Sequence, residues 1–279
     1  MVRPADRRPV VAYLMAHHRL SQRRACQLTQ LPRSTARYRS RRPAQTALKK
    51  RLRELAAERP RFGYRRLTIL LRRELGAVNH KRVYRLYRAA GLSVRRRYRK
   101  RVAATARPQL AGPQRSGEAW SVDFTHDALA SGRSFRTLNI IDRVSRVCHA
   151  IEVDTALPSV RVIRVFERIM ASVGAPQQIR VDNGPEFISQ ALDTWAAAHG
   201  ITLDFTRPGK PTDNGHIESF NGKLRDECLN QHWFVSLPDA RQIIEAWRID
   251  YNDVRPHSAL GNRTPTAFLQ HEQRSASPF

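Results

Sequence analysis

Three acidic residues stand in settings suited to hard-metal chemistry: Asp123 in WSVDFTHD, Asp182 in VDNGPEF and Glu218 in DNGHIESFNGKLRDE, with 35 residues between the second and the third. Carboxylate oxygens are the ligands that hard divalent cations take. A pair of such cations can clamp both the attacking and the leaving oxygen of a phosphodiester in an in-line displacement. The pattern points to cutting or joining of nucleic acid strands. Asp127, Asp142, Asp154, Asp193 and Asp204 lack such a shared context and are read as surface acids or helix caps.

The elements that must bring the three acids together can be read from residue periodicity. AWSVDFTHD, RSFRTLNIIDR and VCHAIEVD are β-rich runs separated by short polar stretches, the pattern of three successive antiparallel strands. A helix, PSVRVIRVFERIMASVG, follows, with Ile163, Phe166, Met170 and Val173 as its expected packing stripe; then come the strand QIRVD, the helix FISQALDTWAAAHG and the strand ITLDF. Ile188, Leu192, Trp195 and either Ala196 or His199 are the expected buried positions of that second helix. Alternation of this kind predicts a mixed α/β layer. Asp123 then lies on the first strand, Asp182 at the end of the fourth and Glu218 on a helix after the fifth. Paired strands run only about 4.8 Å apart, so the two aspartates can meet. On the last helix Ile217, Phe220, Leu224 and Cys228 form a packing stripe, while Glu218, Gly222 and Arg225 share another face. Arg225 would stand two turns from Glu218, on the order of 10 Å along the axis, where with Lys223 it suits substrate phosphate.

Composition indicates which polymer is held. The chain has 50 Lys and Arg against 24 Asp and Glu, a formal net charge of +26, and the excess lies entirely in front: residues 1–116 carry 33 basic and 4 acidic residues, residues 117–279 carry 17 and 20. A nucleic acid partner for the front half is the direct reading. The three cysteines, Cys26, Cys148 and Cys228, form no CxxC pair, which argues against a zinc ribbon or a disulfide framework. No run approaches the length of a membrane span, and a cytoplasmic protein is expected.

Two small helical units fit the front half. Ser21 is placed to cap SQRRACQLTQL, and after Pro32 a second short helix, RSTARYRS, completes a helix-turn-helix pattern. The second unit runs LKKRLRELAAE, YRRLTILLRREL, the turn GAVN and HKRVYRLYRAAG, with Asn79 as cap and Gly91 as stop. In its last helix Val83, Leu86, Tyr87 and Ala90 form the packing face, while Lys81, Arg82, Arg85 and Arg88 are candidate DNA contacts. The run containing Arg95, Arg96 and Arg97 begins a Pro- and Ala-rich basic linker that could track a DNA backbone.

WSVDFTHD, LNIIDRVSR, VDNGPEF, DNGHIESFNGKLRDECL and YNDVRPHSALGNRTP, with RFGYRRLTILLRREL and VNHKRVYRLYRAAGL in front, together resemble the orfB-type transposases of the IS-three insertion-sequence family, which carry a retroviral-integrase catalytic core. The resemblance implies an RNase-H-like mixed-sheet core over residues 117–279, preceded by all-α helix-turn-helix units at 1–45 and 46–94 and a basic linker at 95–116. It implies a DDE triad at Asp123, Asp182 and Glu218 that holds two magnesium ions, with manganese able to substitute, and matches Arg225 to the family's basic residue seven positions after the glutamate. Asn183 and Gly184 would approach DNA or simply make a strand-to-helix turn. Asn214, Gly215 and His216 would touch terminal nucleotides, or Asp213 or Asn214 would cap the helix. Trp120 is read as core, and Tyr251, Arg255, Pro256 and His257 as bracing the core or touching DNA. The implied partners are double-stranded DNA, a second copy of the chain, and a small upstream helix-turn-helix protein, separate or fused by frameshifting. His17 and His18 are not assigned to a metal, since the zinc module of retroviral integrases is absent from the front. A regulator that kept the basic helices but not the chemistry is the alternative; the intact acidic set argues against it. A ribosomal protein would not account for the acidic second half, and no Arg-His-Arg-Tyr setting accompanies Tyr251 to suggest a tyrosine recombinase.

Overall fold

A computed structural model describes residues 4–39, 45–94, 113–207 and 214–276. Arg95, Arg96, Arg97, the linker up to residue 112, and Asp213 lie outside the described residues. The chain divides into two compact units, residues 1–49 and 50–279.

In the first unit α1 (Pro4–His17), α2 (Gln22–Leu28) and α3 (Arg33–Arg37) enclose a small core of Val11, Ala25, Cys26 and Leu31. Ser21 caps α2 as its sequence suggests, its hydroxyl accepting from the Arg24 N–H.

The second unit begins within α4 (Thr46–Glu58) and continues with α5 (Tyr64–Leu75) and α6 (His80–Ala89). Leu52, Leu55, Leu67, Leu71, Val83 and Tyr87 are buried on the facing sides of these helices. Asn79 caps α6 by accepting from Lys81 N–H, and Gly91 turns the chain out at φ +70°, a conformation that costs an L side chain and suits glycine. Lys81, Arg82, Arg85 and Arg88 are all exposed on α6.

The rest is a five-stranded mixed sheet in the order β3-β2-β1-β4-β5, built from β1 (Ala119–Ala128), β2 (Ser134–Asp142), β3 (Cys148–Asp154), β4 (Gln178–Val181) and β5 (Thr202–Phe205). The first three strands are antiparallel as their spacing predicts, and β4 and β5 run parallel to β1 and to each other. Buried Asp142 shapes the β2–β3 turn: its carboxylate accepts from Val144 N–H, Ser145 N–H and the Ser145 hydroxyl, and also from Gly117 N–H.

Alternation along the strands divides the core in two. Trp120, Val122, Leu138, Ile140, Ile179 and Val181 face α7 (Ser159–Val173) and α8 (Gln190–Ala198). Phe135, Ile141, Ile151 and Val153 face α9 (Gly215–Glu227) and α10 (Leu237–Asp253). Two helical stripes are shifted from the sequence expectation. On α7, Val162, Val165, Phe166 and Ile169 are the buried set, whereas Val173 is exposed because it sits on the final turn before Gly174. Ile188 is exposed and Phe187 buried, because α8 starts only after the Ser189 cap and residues 185–188 follow a turn rather than a helical phase. The α9 stripe of Ile217, Phe220, Leu224 and Cys228 is fully buried as expected.

The YNDVRPH segment serves the fold. Asn252 closes an end of the edge strand β3, accepting from Cys148 N–H and donating to the Cys148 carbonyl, both at 2.9 Å. Tyr251, Arg255 and His257 are buried beside it. The chain ends in α11 (Pro265–Ala276). All three cysteines are buried and free, and among the described residues no helix is long and apolar enough to cross a membrane.

Candidate active site

β1 turns Trp120 and Val122 toward α7 and α8, so Ser121, Asp123 and Thr125 must turn the opposite way, toward α9. On β4 the same alternation buries Ile179 and Val181 and gives Asp182, one residue past the strand, the face of Asp123. The parallel register pairs Ser121 with Arg180. Continued by two residues, it sets Asp123 beside Asp182 on adjoining strands. Glu218 arrives in the first turn of α9, exposed, on the side away from the helix's buried stripe.

Asp123 senses the charges of the other two carboxylates. Asp123 is pushed up from its ordinary 3.8 to about 6, first by burial and then by the charges of Asp182 and Glu218, against hydrogen bonds from Phe124 N–H and Asn221 that favour the ionised form. Among the described residues no three His, Cys, Asp or Glu side chains are grouped so that they could hold a metal ion.

Asp123 is also held by a relay that the sequence reading did not include. Asn139, opposite Asp123 on β2, donates to the Thr125 hydroxyl at 2.9 Å and to Asn221 Oδ1 at 2.8 Å; Asn221 Nδ2 then donates to Asp123 Oδ2 at 2.7 Å. Asn221 lies three residues after Glu218, so one helical face presents the acid and the amide that positions its neighbour. That i, i+3 spacing was the available signal. Asp182 is fixed by its own turn, its Oδ1 accepting from Gly184 N–H at 3.0 Å. A Cβ on Gly184 would stand 2.9 Å from that oxygen, which explains the glycine without invoking DNA. Glu186, two residues on, pairs with Arg136, whose guanidinium lies over the Phe124 ring at 4.3 Å.

The remaining candidates separate. Arg225 is exposed, and its Nη2 donates to the His126 carbonyl at 3.1 Å, so it stands beside β1 on the Asp123 side of α9. Asn214 does not cap α9 by its side chain and is only 6% exposed; its amide points back to the Val122 carbonyl at 3.5 Å. The expected side-chain cap by Asn214 is replaced by a buried contact to the sheet. Lys223 lies on another flank of α9, half-buried. Trp120 is core, with no exposed surface.

Because folding disfavours the charged form of Asp123, the penalty is present above pH 6 and disappears below about pH 4, where the group is protonated in both folded and unfolded chains. Asp123→Asn keeps the shape but loses one accepted hydrogen bond, so the metal-free variant is expected to be more stable than the native protein near pH 7.5 by about 2 kcal/mol. Denaturant melts at several pH values should show that gain shrinking between pH 6 and pH 4; a uniform loss of stability would contradict it.

Residues 113–211 and 199–265 match integrase core domain families, and residues 43–101 match an HTH-like domain. The chain is 48% identical over 258 residues to the 31.7 kDa protein of insertion element IS407 from Burkholderia multivorans, covering 92% of this chain and 93% of that one. It is 27% identical over 248 residues to transposase InsD for insertion element IS2D of Escherichia coli, covering 83% and 81%. Its fold matches a chain of the simian T-cell lymphotropic virus intasome solved in complex with PP2A regulatory subunit B56 gamma, at a TM-score of 0.53 and 18% identity over 81% of this chain and 75% of that one. The sheet and its flanking helices are thus the RNase-H-like fold. The long match to insertion-element proteins, an integrase core and an HTH-like front together identify the chain as a member of the orfB-type transposases of the IS-three insertion-sequence family.

Proposed function

We infer that the chain is a metal-dependent polynucleotidyl transferase that cleaves and joins DNA at insertion-sequence ends through Asp123, Asp182 and Glu218. The observation that supports the reading is the charge of Asp182 and Glu218 acting on buried Asp123, which is raised to about 6, together with a β1–β4 register that, carried two residues past its last pair, runs Asp123 toward Asp182. An all-oxygen donor set whose members repel one another fits hard divalent cations, magnesium first and manganese as substitute. Bound there, two such cations would activate the attacking oxygen and neutralise charge on the leaving one.

The chain's own residues do the rest. Asn221 and the Gly184 N–H each hold one of the carboxylates in orientation. Arg225 flanks the acids and is available to the strand entering them. With water as nucleophile the in-line displacement cuts a strand; with a 3′ hydroxyl it joins one. The exposed basic side chains Lys81, Arg82, Arg85 and Arg88 suit the duplex backbone. Synapsis of two ends needs at least two copies, and the small upstream helix-turn-helix protein is the proposed accessory.

The test is a joining assay with the full chain, DNA ends taken from the element's flanks, and magnesium, manganese, calcium or EDTA, with and without the upstream protein. Joined products with magnesium or manganese and none with EDTA are expected. Tight binding of ends with no cutting or joining under every condition would favour a regulator.

A further inference from the structure

A second polar cluster lies on the α9 side of the sheet, and its charges reach His216 in the first turn of that helix. Arg143 and Arg146 come from the β2–β3 turn, Lys223 from α9 and His257 from the loop after α10. The Arg143 backbone is tied to β1 by its N–H to the Ala119 carbonyl at 2.9 Å, and its Nη1 reaches Gln178, yet its Nε is wholly buried without a hydrogen-bonding partner. Arg146 occupies the left-handed region at φ +63°, a conformation costly for a side chain without local compensation, and its Nη1 is likewise buried and unpartnered. His257 Nε2 is a third such atom.

Cations usually bury against anions, and here the nearby anions are engaged elsewhere. Asp142 accepts from the turn backbone, and Glu227 is taken by Arg255 at 2.8 and 2.6 Å and by Arg66 at 3.2 Å. Lys223, one turn before Glu227, is pushed down to about 8, first by burial and then by Arg255, while Arg66 and Arg146 act in the same direction. Arg146 and Arg143 are both lowered, burial first. A group of half-buried cations that repel one another, with donors left unpaired among the described residues, is a site arranged for an anion.

We propose that Arg143, Arg146 and Lys223 form a seat for a backbone phosphate of DNA, on the far flank of α9 from Arg225, so that the helix carries one phosphate contact on each side. This rests on the DNA-joining reading above and deepens it: Arg225 meets the strand at the acids, and the seat holds a phosphate away from the reacting bond. Neutralising that phosphate gives the seat a measurable signature, because each phosphate contact contributes about 0.9 to the slope of log affinity against log salt.

The experiment compares native full chain, Arg146→Gln with Lys223→Gln, and Lys223→Arg, using a duplex of element-end sequence without metal across a salt series. The double variant is expected to lose about 0.9 from the slope, Lys223→Arg to keep the native slope, and the double variant without DNA to melt at or above the native temperature because mutual repulsion is relieved. An unchanged slope in the double variant overturns the seat. So does a melting temperature well below native, which would make the two cations structural. Joining by the native protein is measured in parallel with magnesium: joining with an unchanged variant slope removes the seat and leaves the transferase reading, whereas a reduced slope without native joining retains the phosphate contact and removes that reading.

Discussion

Asp123→Asn, Asp182→Asn and Glu218→Gln are each expected to lower joining of element ends in magnesium by about a thousandfold or more while duplex binding without metal stays within a few-fold of native. An amide matches the carboxylate in shape but supplies one neutral acceptor oxygen in place of two anionic ones. At Asp123 the change falls on the residue that shares its strand neighbourhood with Asp182 and its helix neighbourhood with Glu218, so it removes the centre of the set. Binding should be preserved because the carboxylates repel phosphate and the basic side chains of α6 lie on a different element. Residues acting as one unit are non-additive, so a double amide should be hardly worse than a single one. Joining that survives any of the three substitutions would remove that residue from the site. Greater stability of Asp123→Asn alongside its lost joining would show that the carboxylate is kept for chemistry at a cost to the fold.

How much of this was legible in the sequence depends on whether a residue's role is set locally. Strand alternation is local: the apolar positions of WSVDF suffice to put Trp120 and Val122 on one face and Asp123 on the other, as found. The α9 stripe was equally readable, because Ile217, Phe220, Leu224 and Cys228 all satisfy one helical phase. Reading failed where phase depends on where a helix starts. Phe187 and Ile188 differ only by one position in FISQ, and which of them is buried is decided by the turn before Ser189. Asn221 escaped notice because its partners Asp123 and Asn139 come from two strands far away in sequence, and only the β1–β2 register sets them together. Asn214 illustrates the same limit: it has a cap residue's chemistry and position, but its amide turns to the Val122 carbonyl of the sheet instead of capping α9. The YNDVRPH segment signalled importance without disclosing its mechanism. Its Asn252 closes a strand edge, and its Arg255 is buried in an ion pair.

That ion pair carries the second large effect. Arg255 is only 2% exposed, and both of its bonds go to Glu227 at the end of α9. Arg66 from α5 adds a third bond to the same carboxylate, and the Phe62 ring lies within 5.7 Å of the guanidinium carbons of Arg59, Arg66 and Arg255. Arg59 meanwhile forms two bonds with Asp250 on α10. One carboxylate therefore compensates two cations and joins α5, α9 and the loop after α10. Glu227→Gln leaves Arg255 buried and charged with Arg66 and Lys223 close by, a condition that costs about 3–5 kcal/mol. For a unit of this size that corresponds to roughly 10 °C in melting temperature. Glu227→Gln combined with Arg255→Met removes both charges and should recover a large part of the loss, since a buried pair replaced by apolar volume is often near neutral. Thermal and urea unfolding of the native protein, Glu227→Gln, Arg255→Met and the double variant would measure the coupling. A loss that is simply additive would mean that the two side chains act independently, whereas recovery would establish that Glu227 is retained to neutralise Arg255 and that the strength of the joint lies in the packing around Phe62. Glu227 is also one of the anions near Lys223, so Glu227→Gln should lower the Lys223 pKa further.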